Sequence, residues 1–181
     1  MTSIISDIEK ILFSEADIQN RVSAMAEEIS RDYKGKSPVI ISILKGAFVF
    51  TADLVRKLTL PVELDFLAIS SYGSGSSSSG IVKIKKDIDV DIAGKDVIIT
   101  EDIVDSGLSL QYIGEYIKKH NPASIRMCVF LDKPEAHKLD VTFDYVGFKI
   151  GKEFVVGYGL DYNEKYRNLP YIGILKKEIY K

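Results

Sequence analysis

Three acids, two serines and a glycine crowd the segment Val97-Ile98-Ile99-Thr100-Glu101-Asp102-Ile103-Val104-Asp105-Ser106-Gly107-Leu108-Ser109. A strand that ends in two adjacent carboxylates, then turns through Asp-Ser-Gly into a helix, has the ingredients of a sugar-phosphate site. The N-terminus of a helix presents peptide N–H groups without intrahelical partners and a partial positive charge, and both suit a phosphate. Gly107 lets the backbone approach closely. Ser106 and Ser109 add hydroxyl donors, and Glu101 and Asp102 can accept from two sugar hydroxyls. An isolated Asp-Ser-Gly is ordinarily no more than a helix cap. Two carboxylates where a buried strand emerges are different, because they cost solvation unless a ligand or a metal uses them.

Other residues stand out less on their own. Lys45-Gly46 follows an apolar run and alone would be a solvated turn; Lys133 in Leu131-Asp132-Lys133-Pro134 would be a surface charge, and Phe154 a core ring. Asp161 and Arg167 would be ordinary surface ion-pair partners, and the segment Ser71-Tyr72-Gly73 followed by serines and glycines to Gly80 a polar linker. His120 near a helix end and His137 in a charged turn have no predictable catalytic partner.

The 97–109 segment closely resembles the phosphoribosyl pyrophosphate (PRPP) signature of type I phosphoribosyltransferases, and the resemblance extends through nearly the whole chain to the hypoxanthine (guanine) branch. It implies that Glu101 and Asp102 hold the ribose hydroxyls while Asp105, Ser106, Gly107, Leu108 and Ser109 wrap the 5-phosphate. Leu44-Lys45-Gly46 matches the pyrophosphate loop, usually entered through a cis peptide bond, and Arg167 matches a second pyrophosphate contact. Ser71 and Tyr72 match the start of a flexible lid, about 71–80, that excludes water. By the same resemblance Lys133 contacts the exocyclic 6-oxygen of a purine, and the Phe154-Val155-Val156 segment stacks a ring on the base and offers backbone hydrogen bonds to its edge. Asp161 is placed beside the base and, with Glu101 and Asp102, at a Mg²⁺ site. The implied reaction joins hypoxanthine or guanine to the ribose 5-phosphate of PRPP, giving IMP or GMP and pyrophosphate. Asp105 is the expected general base at N7, a role typically worth ~10² to 10⁴ in rate.

These residues need a scaffold, and the hydrophobic pattern supplies one. Ser14-Glu15-Ala16-Asp17 is a helix start, followed by Ile18, Val22, Ala26, Ile29 and Tyr33 at helical spacing, with Arg21, Glu27 and Arg31 outward and Gly35 as the stop. Short apolar runs at 39–44 and 97–99 read as buried strands, 62–70 as a strand-like run and 125–131 as a further strand, with more strand-like runs at 143–150, 154–156 and 171–175. Helices are predicted over 48–58, through Phe48, Ala52, Val55 and Leu58, and over about 108–120. Residues 81–86 pair with the run before the lid as an antiparallel hairpin. Strands alternating with helices predict an α/β fold with a largely parallel central sheet flanked by helices, and ligands at the carboxyl ends of its strands. The resemblance adds a small hood and the lid.

At 181 residues the chain has the size of one domain, and the expectation is a single phosphoribosyltransferase domain over 1–181. Lys plus Arg total 24 against 26 Asp plus Glu, which gives no electrostatic reason to bind nucleic acid or a membrane. The single cysteine, Cys128, excludes an internal disulfide. No apolar run approaches the ~18 residues of a membrane span, and a cytoplasmic enzyme is expected. The resemblance favours a homodimer or homotetramer. A xanthine-preferring enzyme is the nearest alternative. An RNA-binding regulator on the same fold would call for a basic surface that this composition lacks.

Overall fold

The runs at 39–44 and 97–99 become strands covered on both faces. In the computed structural model, which describes residues 4–71 and 82–181, the elements in chain order are β1 (Ile8–Phe13), α1 (Glu15–Asp32), β2 (Val39–Leu44), α2 (Phe48–Lys57), β3 (Glu63–Ser71), β4 (Val82–Lys86), β5 (Asp96–Val104), α3 (Leu108–Lys118), β6 (Ser124–Asp132), β7 (Tyr145–Lys149), β8 (Val155–Val156), β9 (Ile172–Leu175) and α4 (Lys177–Tyr180). Six strands form the central sheet in the order β4-β3-β2-β5-β6-β7. All neighbours are parallel except the β3–β4 hairpin, whose antiparallel pairing agrees with the sequence expectation.

Alternation along each strand sends residues to opposite faces. Ile40, Ile98 and Phe130 pack beneath α1 and α2 with Ile18, Val22, Ile29, Phe50 and Leu54, whereas Ile41, Ile99 and Val129 pack against Leu110, Ile113 and Ile117 of α3. Helix α1 starts at a capping box, in which the Ser14 hydroxyl accepts from Asp17 N and the Asp17 carboxylate accepts from Ser14 N. The small hood is a second sheet, β1-β9-β8, in which the first and last strands of the chain pair antiparallel.

Several expectations need correction. The buried face of α2 is Phe50, Thr51 and Leu54; Phe48 and Ala52 are exposed, so the apolar stripe is rotated from the one predicted. Thr51 is buried because it joins a chain of hydroxyls, Ser42 Oγ to Thr51 Oγ1 at 2.8 Å and Thr51 Oγ1 to Thr100 Oγ1 at 2.7 Å, which links β2, α2 and β5. Arg21 is not simply outward: it donates to the carbonyls of Gly147 and Val146 and ties α1 to β7. Strand β5 runs on to Val104, carrying Glu101 and Asp102 within the strand rather than at its end. Strand β1 was not foreseen. Of the lid, Ser71 is the last residue of β3, and Tyr72 lies outside the described residues. Among the described residues no helix is long and apolar enough to cross a membrane.

Candidate active site

The carboxyl ends of three adjacent strands deliver the predicted residues to one end of the sheet. β5 carries Glu101 and Asp102 and leads into the Asp105–Ser109 turn, β2 leads into Lys45-Gly46, and β6 into Lys133. A cleft of about 220 Å³ is lined by Glu101, Ile103, Val104, Asp105, Ser106, Gly107, Ser109 and Leu110. There Gly107 caps α3 with φ +80°, a left-handed conformation suited to glycine, and, having no side chain, leaves the first-turn amides uncapped apart from the long contact of the Leu108 amide with Ser106. The helix entrance therefore offers donors to an incoming anion. Leu108 N is 3.4 Å from Ser106 Oγ.

Lys133 and Asp105 meet at the rim of this cleft, Nζ to Oδ1 at 2.9 Å, with the Lys133 side chain only 12% exposed. The Leu44–Lys45 peptide is cis. Gly46 lies against the Asp102 carboxylate, which a Cβ at that position would overlap; Gly159, at φ +101°, lies against the Gly46 carbonyl, where a Cβ would also clash. The first contact seats the β2 turn on β5 and the second draws the 157–167 segment onto that turn. There Arg167 donates to the Gly159 carbonyl at 2.7 Å and pairs with Asp161 at 2.7 Å. Glu164 then joins Arg167, at 3.4 Å, to Lys45, at 2.9 Å.

A phosphoribosyl transferase domain model matches residues 12–163. The chain is 47% identical over 174 residues to the hypoxanthine-guanine phosphoribosyltransferase of Streptococcus thermophilus, covering 96% of this chain and 97% of that one. It is 48% identical to the enzyme of the same name from Bacillus subtilis, with the same coverage. A crystal structure of a Staphylococcus aureus hypoxanthine phosphoribosyltransferase superposes with a TM-score of 0.95 at 44% identity, covering 100% of this chain and 99% of that one. The chain belongs to the phosphoribosyltransferase family.

In this phosphoribosyltransferase the adjacent carboxylates are the electrostatic centre of the cleft. Burial, and then the neighbouring Asp102 charge, push the Glu101 carboxyl well above the usual carboxylate range; burial pushes Asp102 up to about 6 despite a hydrogen bond from the Ile103 amide. Glu101 Oε2 is buried without a hydrogen-bond partner among the described residues. Such a pair suits bound hydroxyls or a cation, since either would favour the charged forms. The three carboxylates expected around magnesium are not gathered into one cage: Asp161 pairs with Arg167, and among the described residues no group of three His, Cys, Asp or Glu could hold a metal ion. Mg²⁺ fits this arrangement only in its common mode, with one or two carboxylates and substrate oxygens as ligands.

Phe154 stacks on Tyr180 of α4, with centroids 4.7 Å apart, and meets Tyr162 edge-on. Val155 is buried in β8, an edge strand of the hood. Sequence reasoning missed Glu164, whose contacts bridge two cations; an acid in an exposed turn carries no local signal of that role. It also left His137 without a partner, although its ring lies beside Asp132.

Proposed function

We infer that this phosphoribosyltransferase is a purine salvage enzyme that transfers the 5-phosphoribosyl group of PRPP to hypoxanthine or guanine, releasing pyrophosphate and forming IMP or GMP. The observation that carries the base assignment is the Lys133–Asp105 contact. A 6-oxopurine presents its O6 and N7 side by side on one edge. A cationic donor for O6 next to a carboxylate for the N7 proton fits that edge, whereas a 6-amino group would face Lys133 donor to donor.

The residues divide the work by position. The amides and hydroxyls of Ser106, Gly107, Leu108 and Ser109 hold the 5-phosphate, and Glu101 and Asp102 accept from the ribose hydroxyls. Lys45, Gly46 and Arg167 hold pyrophosphate, which takes the place of Glu164 on both cations. One or two of the carboxylates Glu101, Asp102 and Asp161, with substrate oxygens and water, would hold magnesium. When bound, the ion supplies positive charge against the negative charge that develops on the leaving pyrophosphate. Asp105 takes the N7 proton as the base attacks ribose C1. Phe154 and the Val155 backbone hold the base, and the lid over about 71–80, including Ser71 and Tyr72, excludes water that would otherwise intercept the sugar. A single domain over 1–181, cytoplasmic location and assembly as a homodimer or homotetramer belong to the same proposal, supported by the resemblance to the family.

Steady-state kinetics of Asp105→Asn test the general base. The account expects kcat to fall by about 10² to 10⁴ with both hypoxanthine and guanine. A variant with the parent kcat on both bases removes Asp105 from that role.

A further inference from the structure

We propose that Asp132 and His137 form a positioning pair that fixes the base-contacting Lys133 and the phosphate loop relative to one another, an inference that rests on the base-binding role of Lys133 proposed above. Asp132 is the last residue of β6 and only 4% exposed; the His137 side chain is 15% exposed, and its Nε2 lies 2.7 Å from Asp132 Oδ1. The two atoms approach at ion-pair distance without hydrogen-bond geometry, and neither has a hydrogen-bond partner among the described residues. Two buried polar atoms left without other compensation cost free energy, so the carboxylate and the imidazole favour each other's proximity. The Phe143 ring meets the imidazole edge-on at 5.8 Å and closes its other side.

The pair spans a tight turn. Ala136 N donates to the Lys133 carbonyl at 2.9 Å and His137 N to the Pro134 carbonyl at 3.4 Å, so that Asp132 and His137 lock the turn at its two ends. Both ends of the locked segment are tied to the substrate cleft. Lys133 N donates to the Val104 carbonyl at 3.0 Å, and Lys138 N donates to the Ser106 carbonyl at 3.1 Å. The first tie sets the lysine expected on the purine; the second holds the loop expected around the 5-phosphate. Neither Asp132 nor His137 lines that cleft. They act through Lys133 and Ser106, and a loosened turn would move both contacts together.

His137→Ala, His137→Asn and His137→Gln, compared with the parent for kcat, for KM of hypoxanthine and PRPP and for thermal unfolding, test this. The expected result is a rise of about tenfold in both KM values for His137→Ala, with kcat changed less, because misplacement of binding groups by a fraction of an ångström is costly. The longer Gln amide can reach Asp132 and restores most of the affinity; the shorter Asn amide does not. If the alanine variant does not fold, the Gln against Asn comparison decides. Parent-like KM values in His137→Ala or His137→Asn, even with a lowered melting temperature, would overturn the proposal, as would a Gln variant no better than Asn. A parent that is inactive on hypoxanthine overturns this inference together with the reading of Lys133, whereas an active parent with indifferent variants overturns this inference alone.

Discussion

Lys133 sits 12% exposed with its ammonium 2.9 Å from the Asp105 carboxylate, so the side chain is held in place before any base arrives. Replacing it removes a donor that an oxo group needs and an amino group does not. A hydrogen bond to a charged group is worth about 1.5 to 3 kcal/mol, and Lys133→Ala should therefore lower kcat/KM for hypoxanthine by about 10- to 100-fold, with a much smaller loss on adenine. Competition assays with the two bases read that ratio directly; equal losses on both would show that Lys133 does not sense the 6-substituent. Family resemblance singled out Lys133 and Asp105, and the structure brings the two side chains together. It did not single out Glu164 or the Asp132–His137 pair. Their roles arise from contacts with Lys45, Arg167 and each other, and periodicity carries no trace of them.

At the scale of elements, the base of the β3–β4 hairpin shows how a buried charge fixes a loop. Asp65 on β3 accepts from the amides of Phe66, Asp89 and Val90 and from Lys86, binding the segment after β4 back onto the sheet. Burial alone would raise its pKa, but the amides of Val90, Phe66 and Asp89 outweigh it and hold the carboxyl below the usual range. A carboxyl depressed on folding contributes stability that is complete above its unfolded pKa of about 3.9 and is lost as pH falls through the lower folded value. Asp65→Asn should cost about 1 to 3 kcal/mol at neutral pH, and the gap from the parent should narrow in denaturant titrations below about pH 4. A constant gap down to pH 2.5 would contradict that assignment. The elements themselves were readable where apolar residues dominate, as at Val39–Leu44, whose one polar residue is Ser42. The face of α2 was misread because Thr51 looks polar in isolation and becomes core only beside Ser42 and Thr100.

The whole molecule joins its ends at the hood. β1 escaped notice because Ile8-Glu9-Lys10-Ile11 mixes charge with apolar residues, and its partner lies at the far end of the chain, Ile8 opposite Leu175. No local pattern encodes a pairing of that span. The central sheet, by contrast, follows from the alternation of buried runs and helices, and its strand ends bring 101–109, 45–46 and 133 to one side as a parallel sheet requires. Packing of Gly46 between Asp102 and Gly159 then adds the 157–167 segment to that same end. The central claim, phosphoribosyl transfer to a 6-oxopurine at this cleft, meets its most direct test in nucleotide formation from PRPP and Mg²⁺ with hypoxanthine, guanine or adenine as acceptor. The account predicts IMP and GMP with stoichiometric pyrophosphate and little AMP; absence of IMP and GMP, or adenine turnover equal to that of guanine, would contradict it.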